Sequence, residues 1–153
     1  SMQSHQVCMR VSFLAPYTSF DESKESERSN ECLGRRHEPN YLAVSELYDP
    51  LTHQWNMTGT MAIPRIDHTA TLLKSGQVLV AGGQGPSGYL VECELYDPFS
   101  GQWHVVASMA KARKWHTATL LCSGQVLVTG GTTIESDTLL NSTEIYDPFT
   151  NRW

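Results

Sequence analysis

The sequence has no long apolar run and no concentration of positive charge. Its apolar runs extend over only a few residues, and the N-terminus lacks the charged start and long apolar stretch of a signal peptide. These absences argue against a membrane span and against secretion. The formal net charge is −5 at pH 7, with no basic patch for a nucleic acid or an acidic membrane. We therefore expect neither kind of partner.

Cysteine is scarce, and its copies have no paired spacing. The four cysteines are Cys8, Cys32, Cys93 and Cys122. Structural zinc sites and disulfide frameworks usually show closely spaced pairs. His5 with Cys8 and Cys32 with His37 offer ligand atoms, but the residues between them have a linker-like composition. We expect free thiols in a cytoplasmic, reducing compartment, with no metal and no cofactor.

The chain is instead rich in internal repetition. The stretch HTATLLKSGQVLVAGG at residues 68–83 recurs as HTATLLCSGQVLVTGG at residues 116–131, with two changes in sixteen positions. A second motif, Tyr-Asp-Pro with a Trp seven residues after the Tyr, begins at Tyr48, Tyr96 and Tyr146, at steps of 48 and 50 residues. A period near fifty residues is typical of propeller blades.

Each period contains four strand signals. The alternation in HTATLL and the continuous apolar run in QVLV predict an inner hairpin, with Ser-Gly-Gln as its turn. The stretches VECELYDP and QWHVVA predict an outer hairpin that Asp97-Pro98 closes. A four-stranded antiparallel sheet repeated at this interval is a propeller blade.

These residues resemble the kelch family. An Arg three positions before the His, the double glycine, and the Glu-x-Tyr-Asp-Pro with its Trp all match the kelch pattern, and the HTATLL form is similar to the galactose-oxidase-like branch. The resemblance implies an all-β fold, a partial kelch-type β-propeller of about two and a half four-stranded antiparallel blades. It also implies structural roles for Arg65, His68, Gly82, Gly83, Tyr96, Trp103, Arg113, His116, Gly130, Gly131, Tyr146 and Trp153.

The repeat divides the chain into five segments. They are a degenerate strand of an incomplete blade (1–17), a Ser-rich and charged insert or linker (18–40), the outer hairpin of a first blade (41–57), a complete blade (58–106) and a nearly complete blade (107–153). The first assignment rests on SHQVCM from Ser4, which aligns with SGQVLV from Ser75. Such units are stable only when stacked, so we also expect self-association that completes a propeller.

Two motifs with chemical potential fit structural roles better. The stretch Gly83-Gln84-Gly85-Pro86-Ser87-Gly88 has dinucleotide-loop spacing, but a strand follows it where that fingerprint needs a helix. His68 and His116 lie inside predicted strands, which favours buried, hydrogen-bonded rings. Arg65 and Arg113 recur, so we expect each to pair within a blade, with Glu46, Glu94 or Glu144.

Catalysis finds little support in the residues. The galactose-oxidase-like branch holds copper through two His and two Tyr, one of them crosslinked to a Cys, and no motif here maps onto those ligands. Cys93 lies in a clear strand, but the sequence places no Tyr beside it. We expect no enzyme. A fragment of an oxidase-like or carbohydrate-handling propeller stays open as the alternative.

Protein binding is the function we expect. In an up-and-down blade the hairpin turns share one end, and here they are short and repetitive. The other end carries the second-to-third-strand and inter-blade loops, which differ between copies, so we expect recognition there. Its aromatic and charged residues are the predicted partner-binding set. They are Tyr89, Lys111, Lys114, Trp115, Glu135 and Asp137.

Overall fold

Strands are the only regular structure in the described part of the chain. The computed structural model describes residues 41–133 and 138–153, together with the backbone of residues 8–11. The strands are β1 (Cys8–Val11), β2 (Leu42–Asp49), β3 (Gln54–Arg65), β4 (Thr69–Leu72), β5 (Val78–Ala81), β6 (Gln84–Gly85), β7 (Gly88–Tyr89), β8 (Cys93–Asp97), β9 (Gln102–Val106), β10 (Thr117–Leu120), β11 (Val126–Thr129) and β12 (Thr143–Tyr146). This confirms the all-β class. Among the described residues no helix is long and apolar enough to span a membrane.

The strands form three main antiparallel sheets that follow one another along the chain. The first sheet has the order β1-β2-β3, the second β4-β5-β8-β9 and the third β10-β11-β12. The short pair β6-β7 stands apart from them. The second sheet has the four strands that the repeat predicts, and the sheets do not close into a ring. The architecture is a partial kelch-type propeller.

The two predicted inner hairpins have the same register. Strand β4 pairs with β5 from Thr69↔Ala81 to Leu72↔Val78, and β10 pairs with β11 from Thr117↔Thr129 to Leu120↔Val126. All four residues of β5 are buried. A strand covered on both faces needs an uninterrupted apolar run, which explains the Val-Leu-Val-Ala sequence.

Each outer hairpin is closed by a cross-strand Tyr–Trp pair. Tyr48 lies opposite Trp55 and Tyr96 opposite Trp103. In the first two sheets and at Tyr146 with Trp153, the ring centroids are 5.3, 5.2 and 5.2 Å apart. Tilted aromatic pairs at this distance stabilise the hairpin beyond the area that they bury. The repeated motif therefore marks the same contact three times.

The tryptophans also join neighbouring sheets. Trp103 donates its indole N–H to the Ser45 hydroxyl at 3.1 Å and to the Gly59 carbonyl at 3.2 Å. Trp153 donates in the same way to the Ala107 carbonyl at 2.7 Å. Apolar side chains of the second and third sheets share one buried cluster that includes Leu79, Cys93, Met109, Val126, Val128 and Tyr146. Stacking of sheets through apolar side chains is what the repeat predicts.

One predicted loop is a strand. The sequence predicts a variable inter-blade loop after the first outer hairpin, but β3 continues through this stretch to Arg65. The β2–β3 register shifts between Leu42 and Val44 and again before Glu46, which lets the long strand bend away. The backbone N–H groups of Ala62 and Ile63 are held by the Glu94 carboxylate.

The N-terminal strand is present, but its predicted alignment is wrong by one residue. Cys8 lies opposite Tyr48, as Val78 lies opposite Tyr96. The alignment through Ser4 makes Val7 the equivalent of Val78. A shift of one residue exchanges the two faces of a strand, so this error matters for packing. The remaining residues of segments 1–17 and 18–40 lie outside the described residues, and those limits stay predictions.

The two repeated histidines precede their strands and do not lie within them. Strands β4 and β10 begin one residue later, at Thr69 and Thr117. The residue before each histidine, Asp67 or Trp115, has a φ of 56°. This left-handed conformation is incompatible with an extended strand, so the strand cannot begin earlier. The prediction that the histidines lie inside strands was wrong.

Candidate functional site

Buried arginines hold each connection between sheets onto the next sheet. Arg65 donates to Glu94 Oε1 at 2.8 Å, and the two side chains are 0% and 1% exposed. The same guanidinium donates to the carbonyls of Gly82 at 2.9 Å and Glu92 at 2.8 Å. A buried charge needs such complete pairing. Arg65 pairs with Glu94, one of the predicted partners, but the pair joins β3 of the first sheet to β8 of the second and does not lie within one sheet.

The next repeat has the same contacts. Arg113 donates to Glu144 Oε1 at 2.8 Å, to the Gly130 carbonyl at 2.8 Å and to the Ser142 carbonyl at 3.2 Å. The backbone N–H groups of Ala110 and Lys111 also donate to Glu144. We call the segments 61–65 and 109–113, both Met-Ala-x-x-Arg, the latch segments. The arginines of both latch segments therefore have a structural role.

Backbone pairs next to the latch segments set the frame of the variable-loop end. Ile66 and Gln84 exchange backbone hydrogen bonds at 2.9 and 2.8 Å, and Lys114 and Thr132 do so at 3.2 and 2.9 Å. Trp115 donates its backbone N–H to the Asp67 carbonyl at 3.2 Å. The same backbone hydrogen bonds thus occur in both repeats, even where the side chains differ.

Three of the predicted partner-binding residues meet on this frame. The Lys114 ammonium lies 4.5 Å from the ring centroid of Tyr89 and 4.0 Å from that of Trp115. It also donates to Gln84 Oε1 at 2.9 Å. Lys114 is 8% exposed, whereas Trp115 is 61% exposed. A cation between two rings stabilises both and holds them in fixed positions. We call Tyr89, Lys114 and Trp115 the aromatic–lysine cluster.

Sequence reasoning missed two residues that support this cluster. Gln84 accepts from Lys114, and its amide nitrogen donates to the Tyr41 hydroxyl at 3.1 Å. A signal was present, because Gln84 follows one double glycine where Thr132 follows the other. Tyr41 directly precedes β2 of the first sheet, and no difference between repeats pointed to it. Tyr89 reaches the cluster through β7, which pairs with β6 as Gln84↔Tyr89.

The other predicted partner-binding residues do not join the cluster in the described structure. Lys111 is exposed, and the contact that places it is its backbone N–H to Glu144 Oε1 at 3.2 Å. Glu135 and Asp137 lie outside the described residues. The roles of all six in binding stay predictions.

Comparison with protein families supports the reading of the repeat. The family model of the kelch motif matches residues 68–110. Residues 68–110 are therefore similar to a kelch motif. The match runs from β4 through the second sheet into the second latch segment, so it covers the described blade and its link to the next. A comparison with curated proteins finds no match. Kelch repeats build propellers that commonly serve in protein–protein interaction and are typically non-enzymatic.

The kelch histidines sit between neighbouring inner strands. His116 Nε2 lies 2.9 Å from the Thr69 hydroxyl, which links the third sheet to the second. Burial, together with the nearby Arg113 guanidinium, lowers the pKa of His116 to about 4. Burial, followed by Arg65 and His116, lowers the pKa of His68 to about 4. Both rings are therefore neutral at physiological pH, and both Nδ1 atoms lack a hydrogen-bond partner within the described residues.

The sequence defined no position for a tyrosine relative to Cys93, and the structure gives one. Cys93 and Tyr146 belong to the same buried cluster of the kelch core. Burial raises the pKa of the Cys93 thiol to about 11, so the thiol is protonated. The described residues contain no group of three or more His, Cys, Asp and Glu side chains that could hold a metal. Cys93 and Tyr146 therefore contribute to the packing of the core.

The opposite, turn end of the kelch sheets also has surface features. A groove of about 690 Å³ runs between the Ser-Gly-Gln turns of the second and third sheets. Its wall includes Phe149, which is 100% exposed, and Phe99 occupies the equivalent position at 96%. Unlike Trp115, these phenylalanines contact no buried charge in the described structure. Phe149 is therefore a suitable exposed ring for comparison with Trp115.

Proposed function

We propose that this chain binds a protein partner through its variable-loop end, with the aromatic–lysine cluster at the centre of the contact. The observation that carries the proposal is the combination of an exposed Trp115 ring with a buried Lys114 cation beneath it. Interface residues that contribute most to affinity are commonly Trp, Tyr and Arg placed on fixed supports.

Pre-organisation supports the same conclusion. The Trp115 backbone is tied to Asp67, and its ring packs on Lys114, so little conformational entropy remains to be lost on binding. The Tyr89 ring lies on the other side of the same ammonium. A partner would therefore bind a rigid aromatic surface. The side chains that hold this surface differ from those at the equivalent positions of the other repeat.

A second part of the proposal is that the chain has no catalytic activity of its own. In the described structure Arg65 and Arg113 are paired with Glu94 and Glu144, and His116 contacts Thr69 of the neighbouring sheet. Cys93 is buried and protonated, and the histidines are neutral and enclosed. We also propose an intracellular location, because Cys93 and Cys122 are free thiols.

The test uses alanine variants of two exposed aromatic residues at opposite ends. Trp115→Ala should lose the partners that the unaltered chain captures from a cell lysate, and their affinity should fall at least tenfold. Phe149→Ala, which removes a fully exposed ring at the turn end, should leave capture unchanged. Thermal unfolding of both variants must stay close to that of the unaltered chain. Equal loss with both variants would contradict a site at the variable-loop end.

Self-association remains a separate proposal. The first and third sheets each have a face that no other described sheet covers, and Val44 of β2 and Ile145 of β12 are 39% and 44% exposed. Exposed sheet faces of this kind favour assembly. Light scattering coupled to gel filtration should give a discrete dimer or trimer. A monomer at high concentration would contradict the proposal.

A further inference from the structure

The groove at the turn end has the size of a pocket for a small molecule. Its volume is about 690 Å³, and pockets for small organic ligands commonly have about 300–1,000 Å³. Its lining comes from three turns, within residues 73–77 of the second sheet and residues 123–125 and 147–150 of the third. Both sheets therefore build it, at the end of the chain opposite to the aromatic–lysine cluster.

One part of this lining is apolar and held in place. Phe149 is 100% exposed, and its backbone N–H donates to Asp147 Oδ1 at 2.9 Å. An aspartate that binds the backbone two residues later fixes a turn, and so fixes the point from which the ring extends. Pro148 and the buried Leu73 add further apolar surface. The groove therefore offers a ring face to a ligand.

The two Ser-Gly-Gln turns contribute hydrogen-bond donors. The Ser75 hydroxyl donates to Gln77 Oε1 at 3.0 Å, and the Ser123 hydroxyl donates to Gln125 Oε1 at 3.1 Å. Each glutamine thus has its carbonyl oxygen engaged, while its amide nitrogen carries two N–H groups. Within the described residues neither nitrogen has an acceptor. Two equivalent turns therefore supply the same kind of donor to one groove.

Lys74 adds a positive charge next to these donors. Its ammonium donates to the carbonyl of Cys122, and its Cδ atom lies 3.6 Å from where a Cβ on Gly124 would stand. The side chain thus extends from the second sheet to the turn of the third. Among the residues that the structure describes, no carboxylate forms an ion pair with Lys74. An ammonium has three N–H groups, so one bond to a carbonyl leaves donors for an anion.

The negative charge of the groove belongs to its apolar part. Asp147 is the one carboxylate among the described lining residues, and its Oδ1 atom is engaged with the Phe149 backbone. The cation, by contrast, accompanies the glutamine donors. A ligand that complements this lining has an anionic group for Lys74 and an apolar group for Phe149.

We propose that this groove is a binding site for a small organic carboxylate that carries an aromatic ring. The carboxylate accepts from Lys74 and from the amide nitrogens of Gln77 and Gln125, and the ring packs on Phe149. A carboxylate has acceptor sites for all three donors, and bonds between charged groups are the stronger ones. Contact between two rings adds affinity beyond the buried area. The site is separate from the protein-binding function proposed above and does not depend on it.

The experiment titrates the ¹⁵N-labelled full chain with phenylacetate at physiological salt. The side-chain amide signals of Gln77 and Gln125 should shift together and reach saturation. Phenylacetamide keeps the ring but has no charge, and acetate keeps the charge but has no ring. Each should bind about tenfold more weakly than phenylacetate, because each lacks one of the two contacts.

Matched variants of the chain test the two contacts separately. Lys74→Met should weaken phenylacetate binding about tenfold, whereas Lys111→Met, which removes an exposed lysine at the other end, should not. Phe149→Ala should also weaken binding. Phe99→Ala removes an equivalent ring that is 96% exposed but is not among the lining residues, so it should leave binding unchanged.

Asp147→Asn tests the sign of the ligand charge. Asparagine supports the same kind of turn, so the variant removes a negative charge and keeps the local backbone. Binding of phenylacetate should become tighter or stay unchanged, and weaker binding would contradict an anionic ligand.

Three results would overturn the proposal. One is the absence of saturable shifts of both glutamine signals at millimolar phenylacetate. Another is equal affinity for phenylacetate and phenylacetamide, because the lysine would then have no role in recognition. The third is an equal effect of Phe149→Ala and Phe99→Ala, which would show nonspecific association with exposed rings.

Discussion

Trp115 donates its backbone N–H to the carbonyl of Asp67 at 3.2 Å, and both residues have a φ of 56°. They occupy equivalent positions in neighbouring repeats, one before His116 and the other before His68. The bond therefore joins one repeat to the next through main chain alone. Side chains at this point are free to differ, which is how a repetitive frame can present a specific aromatic residue.

Replacing a latch arginine should destabilise the chain strongly. Arg113→Met removes the guanidinium that donates to the Glu144 carboxylate and to the carbonyls of Gly130 and Ser142, and it leaves the Glu144 charge without a cation. Breaking one side of a buried pair typically costs about 3–5 kcal/mol. Urea unfolding of Arg113→Met measures the loss, with Arg152→Met as the control for an exposed arginine. A loss as small as that of the control would show that the latch carries little stability.

Substitutions at two glycines distinguish the cost of a steric clash from the cost of backbone strain. Gly83 has a φ of +95°, and a Cβ added there would lie 2.4 Å from the Ile66 carbonyl oxygen. Gly76 has a φ of +87°, with nothing within 4 Å of an added Cβ. Gly76→Ala should cost about 1 kcal/mol from strain alone. Gly83→Ala should cost clearly more in the same thermal unfolding assay, and equal losses would contradict the close approach of the connection.

The neutral histidines predict a pH dependence of stability. The unfolded chain protonates His68 and His116 below pH 6.5, but the folded chain does so only below about pH 4. The unfolded state thus binds more protons between these values, and stability falls as pH decreases from 6.5 to 4. Urea unfolding across this range should show a smaller decline in His116→Gln. The exposed-site variant His104→Gln should decline like the unaltered chain.

The thiols should differ in reactivity. Cys93 is buried with a pKa raised to about 11, whereas Cys122 is exposed. Thiolate fraction and access control alkylation, so iodoacetamide should modify Cys122 in the native chain and Cys93 only after unfolding. Mass spectrometry of the digested protein distinguishes the two sites. Rapid native labelling of Cys93 would contradict its place in the core.

The repeat made most of the fold predictable, because identical sequences form identical hairpins. The inner and outer hairpins of the complete blade were predicted for this reason. The path of β3 was not predictable, since its extension depends on Glu94, about thirty residues away in the sequence. The alignment of β1 failed because Cys8 to Val11 has too little alternation to define a register.

The candidate site was predictable only in part. Loops that differ between copies pointed to Tyr89, Lys114 and Trp115, which the structure brings together. The supporting Gln84 and Tyr41 belong to different sheets, and only the folded packing joins them. Glu46 was predicted as one possible partner for a repeated arginine, but the two latch arginines pair with Glu94 and Glu144.

Site-specific photocrosslinking tests the central claim most directly. Benzoylphenylalanine replaces Trp115 in one chain and Phe149 in another, and both chains are irradiated in a cell lysate. We predict that the Trp115 position crosslinks to a discrete protein partner and that the Phe149 position does not. Crosslinking to the same partner from Phe149 alone would place recognition at the turn end and contradict the account.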